Sequence, residues 1–268
     1  MKNQMRITTA FIPVSLFFLL QFYVTPASAQ QDSLQNTLTL SYDRTHFDKQ
    51  FAQDWQVTSL EYKRQTVLGV VLGRINYGNR FARTGLQGEV EMYPVISKKL
   101  YAYTALSYGS DVTVFPRWHT GAAIYYNFAK SWEAEGGFRY LNFGESLWLG
   151  TAGISKYAGS WLFNIRSFFA LHTPIDNQAF FAKAQRYLKN ERDYVWLQVG
   201  SGVSPDEGRN IQLIASSRLV SKRVAAGAKI SLNRSLQFSL MAGYARDEYR
   251  IKTFGNQYNG SAGLSCLF

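Results

Sequence analysis

Cysteine occurs once in this 268-residue chain, as Cys266, so no internal disulfide can hold the fold together. The three histidines, His46, His119 and His172, stand too far apart in sequence to form a spaced ligand pair, and one thiol cannot build a zinc site. There is no phosphate-binding loop, no strand-to-helix glycine fingerprint and no HExxH, so no metal and no cofactor is expected. After the first 29 residues no run of 18 apolar residues appears, which excludes a membrane-spanning helix. No stretch of period 3.6 appears either, which excludes a βαβ architecture. The charge balance is one-sided, 29 Lys and Arg against 18 Asp and Glu. Without a basic recognition helix this does not point to nucleic acid; it suits an anionic partner such as lipopolysaccharide or an acidic polysaccharide.

What is present begins with an export signal. Lys2 and Arg6 precede an apolar stretch from Ala10 to Val24, and Pro26-Ala27-Ser28-Ala29 has the small-x-small form of a signal-peptidase site. Cleavage after Ala29 is expected, leaving Gln30–Phe268 as one domain.

The rest of the chain alternates with period two. In GLQGEVEMYP (85–94), Leu86, Val90 and Met92 share one face with Gly88, while Gln87, Glu89, Glu91 and Tyr93 share the other. Such alternation is the mark of a β-strand, because successive side chains leave opposite faces of the pleat. The pattern recurs. Val71, Ile75 and Tyr77 oppose Arg74, Asn76 and Arg80; Trp132, Ala134, Phe138 and Tyr140 oppose Glu133, Glu135 and Arg139; Trp161, Phe163, Ile165 and Phe169 oppose Asn164 and Arg166. The segments run to about ten residues or more, the length of a tilted strand crossing a bilayer.

Tight connections such as 64–66, 129–131, 158–160 and 233–235 alternate with longer ones at 48–54, 110–116, 171–177 and 203–209. Outer-membrane barrels are wired this way, with turns on the periplasmic side and loops outside. Aromatic residues flank both kinds of connection. Tyr93, Tyr101, Phe128, Trp132, Tyr157 and Trp161 lie near the tight turns; Phe47, Trp55, Phe115, Trp118, Phe143 and Trp148 lie near the loops. Two interfacial girdles are the expectation. The last strand, with Tyr258, Ala262, Leu264, Cys266 and Phe268 on one face, ends in a terminal aromatic, the usual address for the barrel-assembly machinery.

These observations predict one antiparallel up-and-down barrel in the outer membrane of a Gram-negative bacterium. Fourteen strands are expected and twelve is the alternative, because 203–232 accommodates a loop, one long strand or two short ones. The polar face then lines the lumen: Arg74, Asn76, Arg80, Gln87, Glu89, Glu91, Glu133, Glu135, Arg139, Asn164 and Arg166. Two readings of that face stay open. Carboxylates and guanidiniums could form ladders that brace a narrow interior, or a polar conduit whose arginines attract a passing anion. Glu89 and Glu91 are expected to pair with Arg74 on the preceding strand, or with Arg139 or Arg166 across the lumen. A third reading is an enzyme acting on outer-membrane lipid, since His46, His119 and His172 fall near the outer rim with Asp43, Ser110, Asp111 and Asp176 close in sequence. No spacing joins them.

With these residues in place the chain resembles the YaiO-type outer-membrane β-barrel family. The matching features are Arg80-Phe81, the Q-x-E-x-E-x-Y-P run of Gln87–Pro94, Phe115-Pro116, Trp132-Glu133, Arg139-Tyr140-Leu141-Asn142-Phe143, Lys156-Tyr157, Arg166, and Gly202 with Pro205. The resemblance implies an outer-membrane barrel, associated in some relatives with surface-polysaccharide machinery. On that implication the expected function is a channel or envelope component connected with polysaccharide export or anchoring.

Overall fold

Adjacent residues Val90 and Glu91 show what the alternation builds: the valine is 51% exposed and the glutamate 9%. In water such a chain would be inside out. In a closed barrel in lipid it is satisfied, because aliphatic side chains face hydrocarbon and charged ones face the lumen. The computed structural model describes residues 36–171, 178–202, 221–250 and 252–268.

Fourteen strands run in chain order: β1 (Asn36–Phe47), β2 (Trp55–Thr66), β3 (Gly69–Arg80), β4 (Arg83–Ser97), β5 (Leu100–Gly109), β6 (Trp118–Ala129), β7 (Trp132–Asn142), β8 (Ser146–Ala158), β9 (Trp161–Ala170), β10 (Gln178–Tyr187), β11 (Tyr194–Ser201), β12 (Ser221–Ser231), β13 (Leu236–Arg250) and β14 (Thr253–Leu267). Each pairs antiparallel with its sequence neighbours, and β14 closes on β1 through pairs such as Leu40 with Leu264. At that seam the amides of Asn36 and Phe268 each donate 3.0 Å to the other's carbonyl. Closure leaves no unpaired edge, which lipid requires because it offers the backbone no hydrogen bonds.

The strand count is fourteen, and the twelve-strand alternative falls. Among the described residues of the doubtful segment lies one strand, β12, ladder-bonded to both β11 and β13. The 203–209 loop, His172 and Asp176 lie outside the described residues.

Two expectations need correction. The outer end, opposite Asn36 and Phe268, is not uniformly long-looped. β3 turns into β4 through Phe81-Ala82 alone, both residues left-handed at φ 53° and 57°, and Arg250 of β13 already faces Thr253 of β14. A two-residue hairpin matches the strand twist only with positive φ, so here twist outweighs the preference of Phe and Ala for negative φ.

The aromatic girdles are only half built. Trp118, Phe128, Trp148 and Trp161 face outward. Phe47, Trp55 and Phe115 are buried inside the outer mouth, while Tyr93, Tyr101 and Tyr157 line the lumen near the inner one. Tyr93 shares the parity of Glu89 and Glu91, and parity, not height along the strand, decides the face.

Candidate functional site in the barrel lumen

The lumen contains a cavity of about 980 Å³, and all eleven residues of the polar face line it. Its walls differ. From β2 to β9 the lining is bulky and charged. From β12 through β14 to β1 short residues, Ala225, Gly243, Asn259, Ser261, Thr39 and Ser41, stand among larger ones that include Asp43, Arg223 and Met241.

Arg74 organises the charged wall. Its Nη2 donates to Glu61 at 2.6 Å and its Nη1 to Glu89 at 2.8 Å, with Glu91 at 3.5 Å. The register makes this cluster, since Arg74 stands opposite Glu61 on β2 and Glu89 on β4. Glu61 was not among the expected residues. Its signal was available: in SLEYKRQ (59–65) it alternates with Leu60 and Tyr62, which face lipid.

The expected cross-lumen pairings resolve differently. Arg166 forms a two-pronged pair with Glu135, one prong being Nη2 to Oε2 at 2.7 Å. Gly153 makes room for it, as a Cβ there would lie 2.8 Å from the Glu135 carboxylate. Arg139 lays its guanidinium over the Tyr103 ring at 4.5 Å, a cation–π contact. Asn76 donates to Gln87 at 2.9 Å, Gln87 to Ser107 at 3.1 Å, and Asn164 to Ser155 at 3.0 Å.

Toward the inner mouth the carboxylates meet tyrosines. Tyr101 donates to Glu133 at 3.0 Å and Tyr93 to Glu91 at 3.1 Å. Tyr101 and Tyr125 stack with centroids 4.6 Å apart and planes at 1°. Toward the outer mouth Arg80, 1% exposed, lies between Trp55 and Phe115 and donates to the Val114 carbonyl at 2.9 Å. That bond pins the 110–117 loop inside the mouth. Gly78 and Gly85 allow the close approach, since a Cβ on either would strike Val114 or Phe115 at 3.0 Å or less.

Among the described residues the rim groups do not come together as a catalytic set. His46 Nδ1 lies 2.8 Å from Asp54, and that bond holds the Asp54 carboxyl below the usual carboxylate range. His119 is not a rim residue in contact with the outside; it is buried against the lumen, 3.9 Å from Glu89. The Ser110 hydroxyl accepts from the Leu86 amide, and Asp111 caps Thr113 and meets Arg83. Among the described residues no group of three His, Cys, Asp or Glu could hold a metal ion.

A closed fourteen-strand antiparallel barrel, aliphatic outside and charged within, defines an outer-membrane β-barrel protein. The chain belongs to the family described as the YaiO membrane beta barrel domain, whose model matches residues 35–207. Among curated proteins none matches. Solved barrels share the fold at low identity. The structure titled CymD monoaromatic hydrocarbon channel superposes with a TM-score of 0.56 and 8% identity, covering 89% of this chain and 90% of that one. The one titled bacterial polysaccharide outer membrane secretin gives 0.55 and 6%, covering 88% and 99%. The Acinetobacter baumannii outer membrane protein Omp33 gives 0.53 and 6%, covering 88% and 100%.

Proposed function

We propose that the chain is a channel of the Gram-negative outer membrane for a hydrophilic, polyhydroxylated solute, working with surface-polysaccharide export or anchoring. The observation that carries this reading is the cavity left beside the braced wall. The ion pairs on β2–β9 do not fill the interior, because β12–β14 and β1 contribute many short side chains, among them Ala225, Gly243, Ser261 and Ser41. Brace and conduit therefore coexist. Arginines, carboxylates and tyrosine hydroxyls supply both donors and acceptors, which suits a hydrated sugar chain better than a hydrocarbon. The likeness to a barrel titled as a polysaccharide secretin is consistent with this reading. In it the aliphatic belt meets membrane lipid and lipopolysaccharide, and Phe268 addresses the assembly machinery.

The test is conductance of the refolded barrel in planar bilayers, with acidic oligosaccharide added to either side. Stepwise ion current that the oligosaccharide interrupts is the expected result. A lumen closed at every voltage and salt concentration overturns the conduit.

A further inference from the structure

Several cation–ring contacts lie on outward-facing positions: Arg117 over Tyr108 and Arg246 over Phe254 toward the outer end, and two more toward the inner end. On β8 the Lys156 ammonium sits 4.1 Å from the centroid of the Trp132 ring on β7, its direct cross-strand partner. On β10 the Arg186 guanidinium sits 5.6 Å from the Trp161 ring on β9, again its direct partner. Trp161 in turn stacks on Phe163 at 5.8 Å with planes 8° apart, and Phe163 stands opposite Lys156. Ring and cation thus alternate across four consecutive strands at one height, just above the inner hairpins. That end carries Asn36 and Phe268 and in this architecture faces the periplasm.

We infer that this strip is a binding site for an anionic phospholipid of the periplasmic leaflet. The rings mark headgroup depth, where amphipathic aromatics settle. Each cation holds its charged end over a ring at that depth. Among the described residues no carboxylate pairs with Lys156 or Arg186, and the nearby Glu133 and Glu135 face the lumen. Two unneutralised cations, two strand spacings or about 10 Å apart, complement one or two lipid phosphates. Surface attraction favours an anionic headgroup roughly fivefold per cation, giving a preference on the order of twentyfold for the pair.

The experiment is native mass spectrometry of the full barrel in detergent micelles doped with equal phosphatidylglycerol and phosphatidylcholine. The wild-type protein should retain phosphatidylglycerol in large preference, and Lys156→Gln with Arg186→Gln should bring the two lipids to near parity. Trp132→Leu with Trp161→Leu should lower the preference with charge unchanged, and heat-modifiable gel migration checks that every variant is folded. Lys98→Gln with Lys99→Gln, on the hairpin between β4 and β5, should keep the wild-type preference. The site is overturned if the wild type shows no preference or if the Lys156 and Arg186 variant keeps it. Equal loss in the Lys98 and Lys99 variant also overturns it, leaving only diffuse charge attraction. Glycerol phosphate at millimolar excess should not displace the lipid; displacement would show an anion site instead.

Discussion

The two walls of the lumen differ in what they cost to build. On the β2–β9 wall, carboxylates and guanidiniums are drawn out of bulk water, and each needs its partner. On the β12–β14 and β1 wall the charges are fewer, chiefly Asp43 and the Arg223–Asp247 pair. The hydroxyls, amides and methyl groups between them need little, and by their small size leave the cavity. The charged wall therefore fixes the barrel's interior, while the small wall decides what fits through it. Charges alone would give a plug and small residues alone a featureless tube.

The sharpest way to break the comparison is Arg74→Met. It strands three carboxylates, Glu61, Glu89 and Glu91, around a neutral side chain. Removing one partner from a largely buried ion cluster costs about 3–5 kcal/mol, and urea unfolding of the refolded barrel measures it. A loss below about 1 kcal/mol would mean the cluster is solvated as at a surface, and the wall no brace. Next comes the lipid face. Val90→Arg, at the middle of β4, should cost about 2–4 kcal/mol. Ser261→Arg, facing the cavity from the small wall, should stay within about 1 kcal/mol. Equal tolerance of the two arginines would reverse the assignment of inside and outside.

Much of this was legible in the sequence, for a physical reason. A strand has only two faces, and hydrocarbon on one of them forces the alternation to be strict, so the parity of Arg74, Glu89, Glu135 and Arg166 could be read directly. Partner choice across strands was legible where strands are consecutive, as for Arg74 and Glu89. It was not where the register of distant strands decides, so Arg166 went to Glu135 on β7 instead of to β4. Tyr93 faces the lumen as its alternation with Met92 requires, and Tyr101 does too, so nearness to a tight turn does not by itself place a ring in the girdle. Arg80 lines the cavity, but its hold on the loop was hidden in the sequence: the residues it meets, Val114 and Phe115, carry no periodic signal.

Weaker changes sharpen the contrast within each wall. Glu89→Gln removes one of three carboxylates around Arg74 and also faces His119, so a loss of about 1 kcal/mol in urea is expected. A larger loss would mean Glu61 and Glu91 together cannot neutralise Arg74. On the other wall, Ala225→Trp places an indole into open space beside Gly243. Its effect on stability should be within about 0.5 kcal/mol, as for a substitution away from packed features, while single-channel conductance falls. Unchanged conductance would show that the cavity is not the conduction path.

The smallest effect is expected at Glu91→Gln, and it is the most informative about how the charged wall balances. Glu91 is the longest of Arg74's three contacts, at 3.5 Å, against 2.6 Å to Glu61 and 2.8 Å to Glu89. It also stands among other carboxylates, so part of its attraction to Arg74 is cancelled by repulsion from Glu61 and Glu89. Glutamine keeps the shape and can still accept from the Tyr93 hydroxyl, now 3.1 Å from the carboxylate. Desolvation weighs against the charged form, and the substitution removes that cost together with the charge. Attraction, repulsion and desolvation should therefore nearly cancel, leaving a change within about 0.5 kcal/mol. Raising the salt concentration should leave that change unaltered. A loss as large as that of Glu89→Gln would mean Glu91 is an equal member of the brace. A clear gain would mean the three carboxylates around Arg74 are one too many for stability, and that the third is kept for what passes through the lumen.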